Sequence, residues 1–265
     1  MKLGPAPEIS IPAVPERPYL VEHWYLGPPA RRYMILRRIR EVLEHSGFEP
    51  GQRLLDLGPG WAFGPTWAAA LGARVAGIDL GADQLRWAQA VLNRDRRFAL
   101  VHGNANALPF RDRTFDAVAS VEMMEHVFRP DRIPVLREAA RVLKPGGTIA
   151  LSTPNAHSPI ELAKRLATRW PALRRRLPSA CFPEATDDRA TYHPYRYHHP
   201  ITTRDLVEGM REAGLSVHGV RHFLWVFKTL PAALLPVGRA VEVVAEALPL
   251  VRGLGATTLV WGVRP

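Results

Sequence analysis

The sequence predicts an α/β fold, a doubly wound and mostly parallel sheet covered by helices on both faces. Three observations predict it. Strand and helix signals alternate from residue 52 to residue 154. The strands are near-continuous apolar runs rather than alternating ones, as a sheet covered on both faces requires. The first strand runs straight into a glycine-rich turn, LLDLGPGWAFGP. In such sheets ligands sit at the carboxyl ends of the strands.

Bulk properties set the frame. The 265 residues suit one large domain with additions. With 47% apolar and 23% charged residues, the chain can bury a core. A single cysteine, Cys181, excludes an intramolecular disulfide framework and a multi-cysteine metal site. It agrees with a cytoplasmic setting. The formal charge is +10, and all but four of the 35 basic residues are arginine. Nucleic acid, anionic lipid and acidic substrates are the partners such a charge draws; a plain solvated surface is the alternative. MKLGPAPEIS has no apolar core, so no signal peptide is expected. Residues 229–251 are apolar but interrupted by Pro231, Pro236 and Pro249, and they carry Arg239, Glu242 and Glu246. They are not expected to span a bilayer.

The elements follow in order. Residues 1–18 are proline-rich and read as a flexible arm ahead of one domain over 19–265. GPPARRYMILRRIREVLEHSG reads as a helix, with Pro29 in its first turn and Gly47 closing it. Its arginines are expected in solvent. QRLLDLG is the first strand and GPTWAAALGA a short helix. RVAGIDL is the second strand, ADQLRWAQAVLNR a helix, FALVHGN the third strand and FDAVASVE the fourth. IPVLREAARVLKPGG is a helix closed by Pro-Gly-Gly, and TIALSTP the fifth strand, completing a core over 50–155. Residues 156–200 break the rhythm and read as a lid or insertion. The C-terminal half, 201–265, opens with a helix capped by Thr202, with Asp205 three residues on. Two closing strands, SVHGVRHFLWVF and TTLVWGVR, flank an apolar helical insertion.

The glycine turn limits its ligand. No Gly-Lys-Ser/Thr follows it, so it is no Walker loop. Phe63 stands where a dinucleotide fingerprint places its third glycine. Asp56 repels a pyrophosphate, and Pro59 removes a backbone donor that a phosphate cradle uses. The turn suits a ligand that is cationic or neutral at that point. S-adenosylmethionine, with an ammonium and a sulfonium and no phosphate, has that chemistry. A plain strand-to-helix turn, with Asp56 capping backbone amides, is the alternative. Asp79 ends the second strand 21 residues past Gly58, where a carboxylate can accept from both ribose hydroxyls. Asn104 ends the third, and its amide offers donor and acceptor to an adenine edge.

LDLGPG, GNANALPF, FDAVASVEMMEHV and RVLKPGGTIALSTPN stand in this order over residues 53–155. Together they resemble the class I S-adenosylmethionine-dependent methyltransferases, in the methyltransferase type 11 and coenzyme Q O-methyltransferase-like group. The resemblance implies a seven-stranded Rossmann-like sheet with the last strands antiparallel, and S-adenosylmethionine as cofactor. It implies that Asp56, Gly58 and Gly60 line the methionine end. Asp79 holds the ribose, Leu80 and Ala105 border the base with Asn104, and Glu122 lies on the sulfonium side. Two departures stand out: Asn104 replaces the usual Asp, and Ala62 replaces a frequent third glycine, where its methyl can narrow the turn.

Methyl transfer from a sulfonium is an in-line displacement. Alignment of the acceptor supplies roughly 7–11 kcal/mol, more than the roughly 10²–10⁴-fold of a general base. A base is therefore optional. His126, after the fourth strand, is the first candidate; a helix-start histidine bonded to backbone is the alternative. His199, in a group with His193, His198 and Tyr192, Tyr195 and Tyr197, is the second. Glu122, Glu125 and His126 also resemble the run linked to a divalent ion in the coenzyme Q O-methyltransferases. Capping charge at a helix start explains them as well, and no metal is assigned. IELAKRLATRWPALRRRL places Ile160, Ala163, Leu166, Ala167 and Trp170 on one side and Lys164, Arg165 and Arg169 on another. It reads as a lid on the sheet or as an interfacial helix on an anionic membrane. The segment His23-Trp24-Tyr25 reads as a second lid or as core. The expected acceptor is a small or lipophilic molecule methylated at a hydroxyl. A nucleic-acid acceptor is disfavoured, because no Asn/Asp-Pro-Pro-Tyr/Phe run follows the fourth strand. A non-catalytic cofactor-binding regulator is the remaining alternative.

Overall fold

The computed structural model describes residues 3–9, 11, 21–92, 95–169 and 198–265. Seven strands form one sheet: β1 Arg53–Leu57, β2 Arg74–Asp79, β3 Phe98–His102, β4 Phe115–Val121, β5 Leu143–Pro154, β6 Ser216–Phe223 and β7 Thr257–Val263. Their order is β3-β2-β1-β4-β5-β7-β6. The first five pair in parallel, and β7 is antiparallel to both β5 and β6. The order turns back between β1 and β4, so the crevice for a ligand opens at their carboxyl ends.

The helices are α1 Pro29–Ser46, α2 Phe63–Ala70, α3 Ala82–Leu92, α4 Arg132–Val142, α5 Pro159–Arg169, α6 Thr203–Glu212 and α7 Leu235–Ala247. Successive strand residues feed opposite cores. Leu54, Val75 and Ala117 pack with Met34, Ile39 and Val42 of α1 and Trp67 of α2. Leu55, Ile78 and Val118 pack with Val135 and Leu136 of α4 and Leu206 and Met210 of α6. Each such large side chain, fully buried, contributes about 1.5–3 kcal/mol. Thr202 caps α6 as its sequence predicts, accepting from Asp205 N at 3.1 Å. No helix among the described residues is long and apolar enough to cross a membrane.

Three differences from the sequence expectations have physical causes. The helix expected to close at Pro-Gly-Gly stops earlier, at Val142, because helical geometry is disfavoured for the residue before Pro145. Residues 144–147 instead bulge from β5, with Gly146 at φ +76°. Much of the arginine face of α1 is paired rather than free in solvent, although Arg32 stays exposed. Arg37 pairs with Glu41, Glu242 and Glu246, and Arg38 with Glu122 at 3.4 Å. The described part of the arm lies against α1. Leu3 and Ile9 are buried, and Arg40 donates to the Leu3 carbonyl at 2.6 Å.

Candidate active site

The turn after β1 is built by backbone conformation. Gly58, Gly60 and Ala62 have φ of +75°, +48° and +64°, a region that favours glycine. Gly58 N donates to the Ile78 carbonyl at 2.9 Å, which ties the turn to β2. A Cβ on Gly58 would lie 2.6 Å from Met123 Cγ. The Pro59 ring rests on β2, where a Cβ on Gly77 would stand 2.8 Å from Pro59 Cγ. Ala62 is buried beside Ala88 and Leu92, so its methyl packs towards α3. Tyr25 is core: it is buried and stacks on Phe63 at the start of α2, with ring centroids 4.6 Å apart.

Two carboxylates stand at this edge in different states. Asp79 Oδ2 accepts from Gly60 N at 3.1 Å, and Oδ1 from Gly81 N at 2.8 Å. One side chain thus joins the glycine turn to the β2–α3 turn. Asp56 is buried, and no cation or hydrogen-bond donor among the described residues pairs with it. Burial, and then the nearby Asp79 charge, push its carboxyl up to about 7. Asp79 is itself raised by burial, against the two backbone N–H groups that lower it. An added cation relieves both groups.

The ends of β2 and β3 are more open. Leu80 is exposed at the end of β2, and its carbonyl pairs with His102 Nε2 at 3.0 Å. Asn104 Oδ1 accepts from Asn106 N at 3.1 Å, an Asx turn that occupies one of its acceptor positions. Ala105 packs against the core around Leu108.

At the end of β4 the chain bends through Glu122, a non-glycine residue at φ +53°. Such a conformation costs of order 1–3 kcal/mol and clusters at functional sites. Ser152 holds it, its Oγ donating to Glu122 Oε1 at 3.1 Å while its carbonyl accepts from Glu122 N at 3.1 Å. A short 3₁₀ turn, Met124–His126, follows. Glu125 is buried and accepts from Thr153 Oγ1 at 3.2 Å. Burial pushes both Glu122 and Glu125 up to about 7.

His126 is partly exposed, with Nε2 3.9 Å from Glu125 Oε1. His198 meets it edge-on at 5.4 Å between rings. Its Nε2 is buried without a hydrogen-bond partner among the described residues, and burial lowers its pKa to about 3. His199 turns to the backbone: its N donates to the Glu125 carbonyl at 2.9 Å, and its Nδ1 lies 3.2 Å from the Pro200 carbonyl. Of the adjacent pair, therefore, His198 is the one whose ring faces His126. Nothing in HHP distinguishes one from the other in the sequence. Glu125, His126 and His198 each offer one ligand atom, all within 4.8 Å of one another. His193, Tyr192, Tyr195, Tyr197 and Trp170 lie outside the described residues.

Residues 55–151 match the family model described as a methyltransferase domain. Over 111 residues the chain is 40% identical to a ubiquinone biosynthesis O-methyltransferase of Xanthomonas campestris pv. campestris, covering 40% of this chain and 44% of that protein. Over 123 residues it is 32% identical to a demethylmenaquinone methyltransferase of Lysinibacillus sphaericus, covering 45% of this chain and 52% of that one. The chain thus spans about half the length of the curated relatives it matches. A solved geranyl diphosphate C-methyltransferase of Streptomyces coelicolor, bound to Mg²⁺, geranyl diphosphate and S-adenosyl-L-homocysteine, superposes with a TM-score of 0.55. It covers 87% of this chain and 77% of that one at 18% identity, a likeness of fold. Residues 55–151, the core from β1 into β5, are thus similar to a methyltransferase domain, and the seven-stranded order of the sheet agrees with that likeness.

Proposed function

We propose that this protein transfers the S-methyl group of S-adenosylmethionine to a hydroxyl on a lipophilic acceptor, a phenolic ring carrying an apolar tail. One observation carries the reading: Asp56 is a buried carboxylate with no cationic partner among the described residues. A phosphate makes its position worse, whereas the ammonium and sulfonium of S-adenosylmethionine improve it. Asp56, Gly58 and Gly60 then take the methionine end. Asp79, already oriented by Gly60 and Gly81, accepts from the ribose, and Leu80, Asn104 and Ala105 border the base. Glu122 stands on the sulfur side. The acceptor class is supported by the names of two relatives, a demethylmenaquinone methyltransferase and a ubiquinone biosynthesis O-methyltransferase.

In the transfer an oxygen–carbon bond forms as the carbon–sulfur bond breaks. Sulfur keeps the electron pair, and S-adenosylhomocysteine leaves. The hydroxyl proton goes to His126, whose position beyond β4 and neighbouring Glu125 suit an imidazolium. His199, held by its backbone, shapes the same wall. A second reading has Glu125, His126 and His198 hold a divalent ion that polarises the acceptor oxygen. The orphan Nε2 of His198 favours it. Retained turnover in exhaustive chelator, with no Mn²⁺ binding seen by calorimetry, excludes that reading.

Calorimetry with S-adenosylhomocysteine, NAD and ATP tests the cofactor. The first is expected to bind and the others not. Asp79→Ala is expected to weaken that binding at least about tenfold, the range of hydrogen bonds to a charged group; unchanged affinity rejects its role. With labelled S-adenosylmethionine and a prenylated catechol, His126→Ala is expected to lower turnover about 10²-fold with cofactor affinity intact.

A further inference from the structure

We infer that the outward face of residues 227–254 is a seat for an anionic lipid bilayer surface. Helix α7 is built inside out. Glu242 is 2% exposed, accepting from Tyr33 OH at 2.5 Å and Trp225 N at 2.8 Å. Glu246 accepts from Arg221 at 2.5 Å. With both acids held inward, the helix cannot roll its valines under without breaking a buried ion network. Val237, Val241, Val243 and Val244 are left 55–71% exposed, and Leu250, just past the helix, 95%. Such a contiguous apolar patch marks a binding surface.

Shape and charge select the occupant. Val237, Val241, Val244 and Leu248 repeat at spacings of four and three, which a partner helix could follow. Val243, however, points about a third of a turn away from that row, and Leu250 and Phe227 lie off the helix altogether. A seam would leave these uncovered; a broad fluid interface takes all of them. The exposed charged residues of 227–254 are Lys228, Arg239 and Arg252, all cationic, in a chain of net charge +10. Basic groups beside an apolar face are what an anionic membrane surface attracts.

The seat adjoins the site. β6 ends and β7 begins opposite Pro154, at the carboxyl end of β5, so the insertion rises from the edge that carries Asp79 and Glu122. A groove lined by Pro159, Ile160, Phe227 and Leu254 joins it to α5, where Leu162 and Leu166 are also exposed. Membrane binding stands independently of methyl transfer. That it delivers a lipophilic acceptor rests on the function proposed above.

The test is co-sedimentation of the full chain with vesicles of phosphatidylcholine alone, or containing about a third phosphatidylglycerol. Binding is expected with the anionic vesicles and expected to fall as salt is raised. Val241→Gln/Val244→Gln is expected to reduce it at least about tenfold, with S-adenosylhomocysteine affinity and circular dichroism unchanged. Lys228→Gln/Arg252→Gln, which leaves the apolar face intact, is expected to weaken it on anionic vesicles. Wild-type protein that ignores both vesicles, or equal binding by the valine variant, overturns the inference. So does a wild-type dimer, indifferent to vesicles, that the valine substitutions split. Vesicle binding by a protein that takes no S-adenosylhomocysteine leaves this inference standing and defeats the cofactor assignment instead.

Discussion

Two groups of buried acids lie on opposite sides of this molecule's chemistry. Between α1, α7 and β6, Glu41, Glu242 and Glu246 face Arg37 and Arg221, with the Tyr33 hydroxyl and the Leu224 and Trp225 amides completing the set. At the strand ends, Asp56 faces only another carboxylate, Glu122 shares one ion pair with Arg38 at 3.4 Å, and Glu122 and Glu125 each accept from a hydroxyl. The first group is closed: each charge has a counter-charge. The second is open, and burial drives its three members up to about 7. Buried acids each matched by arginine hold a fold together; three buried acids sharing one arginine leave room for a further cation.

The comparison breaks most directly at Arg37. Arg37→Ala leaves Glu242 without an arginine among the described residues and Glu41 with Arg221 alone, and is expected to cost about 3 kcal/mol in urea unfolding. A loss well under 1 kcal/mol would mean the closed group is no more structural than the open one. Asp56→Asn is the matching test on the open side, with the opposite sign. The folded-state pKa of Asp56 is raised from its ordinary value to about 7. Its protonated form is therefore the one folding favours. The stability it supports is fully present below about pH 4 and is lost as pH rises through about 7. The amide should thus raise Tm at pH 8 and change little at pH 4, while weakening S-adenosylmethionine at least about tenfold. Wild-type affinity for that ligand should in turn rise between about pH 6 and 8, with proton release on binding. The smallest effect is expected from Ala62→Gly. Relief of a left-handed alanine, about 1 kcal/mol, is offset by glycine's entropy and the lost methyl contact with Leu92. Stability should stay within about 0.5 kcal/mol of wild type; a larger gain would mean the methyl strains the turn.

What was legible in the sequence follows the same division. The parallel strands are apolar and separated by helices or, between β3 and β4, by a loop, so their order along the chain is readable one window at a time. The glycine turn and Asp79 announce themselves by local spacing, and Thr202 by a cap three residues long. The arginine face of α1 does not. Its partners, Glu242 and Glu246, lie some 200 residues away, and no helical period shows that an acidic face will be brought against a basic one. For the same reason α7, read alone, appears as an apolar helix whose valines belong in a core. The stop of α4 at Val142 was recoverable from Pro145, but Pro-Gly-Gly reads equally as a helix ending and as a strand bulge. His198 and His199 differ only in which ring the tertiary structure aims at His126.

Pro59 lies on β2 in the space where residue 77 would otherwise carry a side chain. Loop and strand are therefore cast as one piece, tongue in groove. Even a methyl at position 77 would lift the proline, and with it Gly58 and Gly60, off the sheet. The glycine turn cannot be reshaped by changes within itself alone: its freedom to vary is limited by a residue on the neighbouring strand.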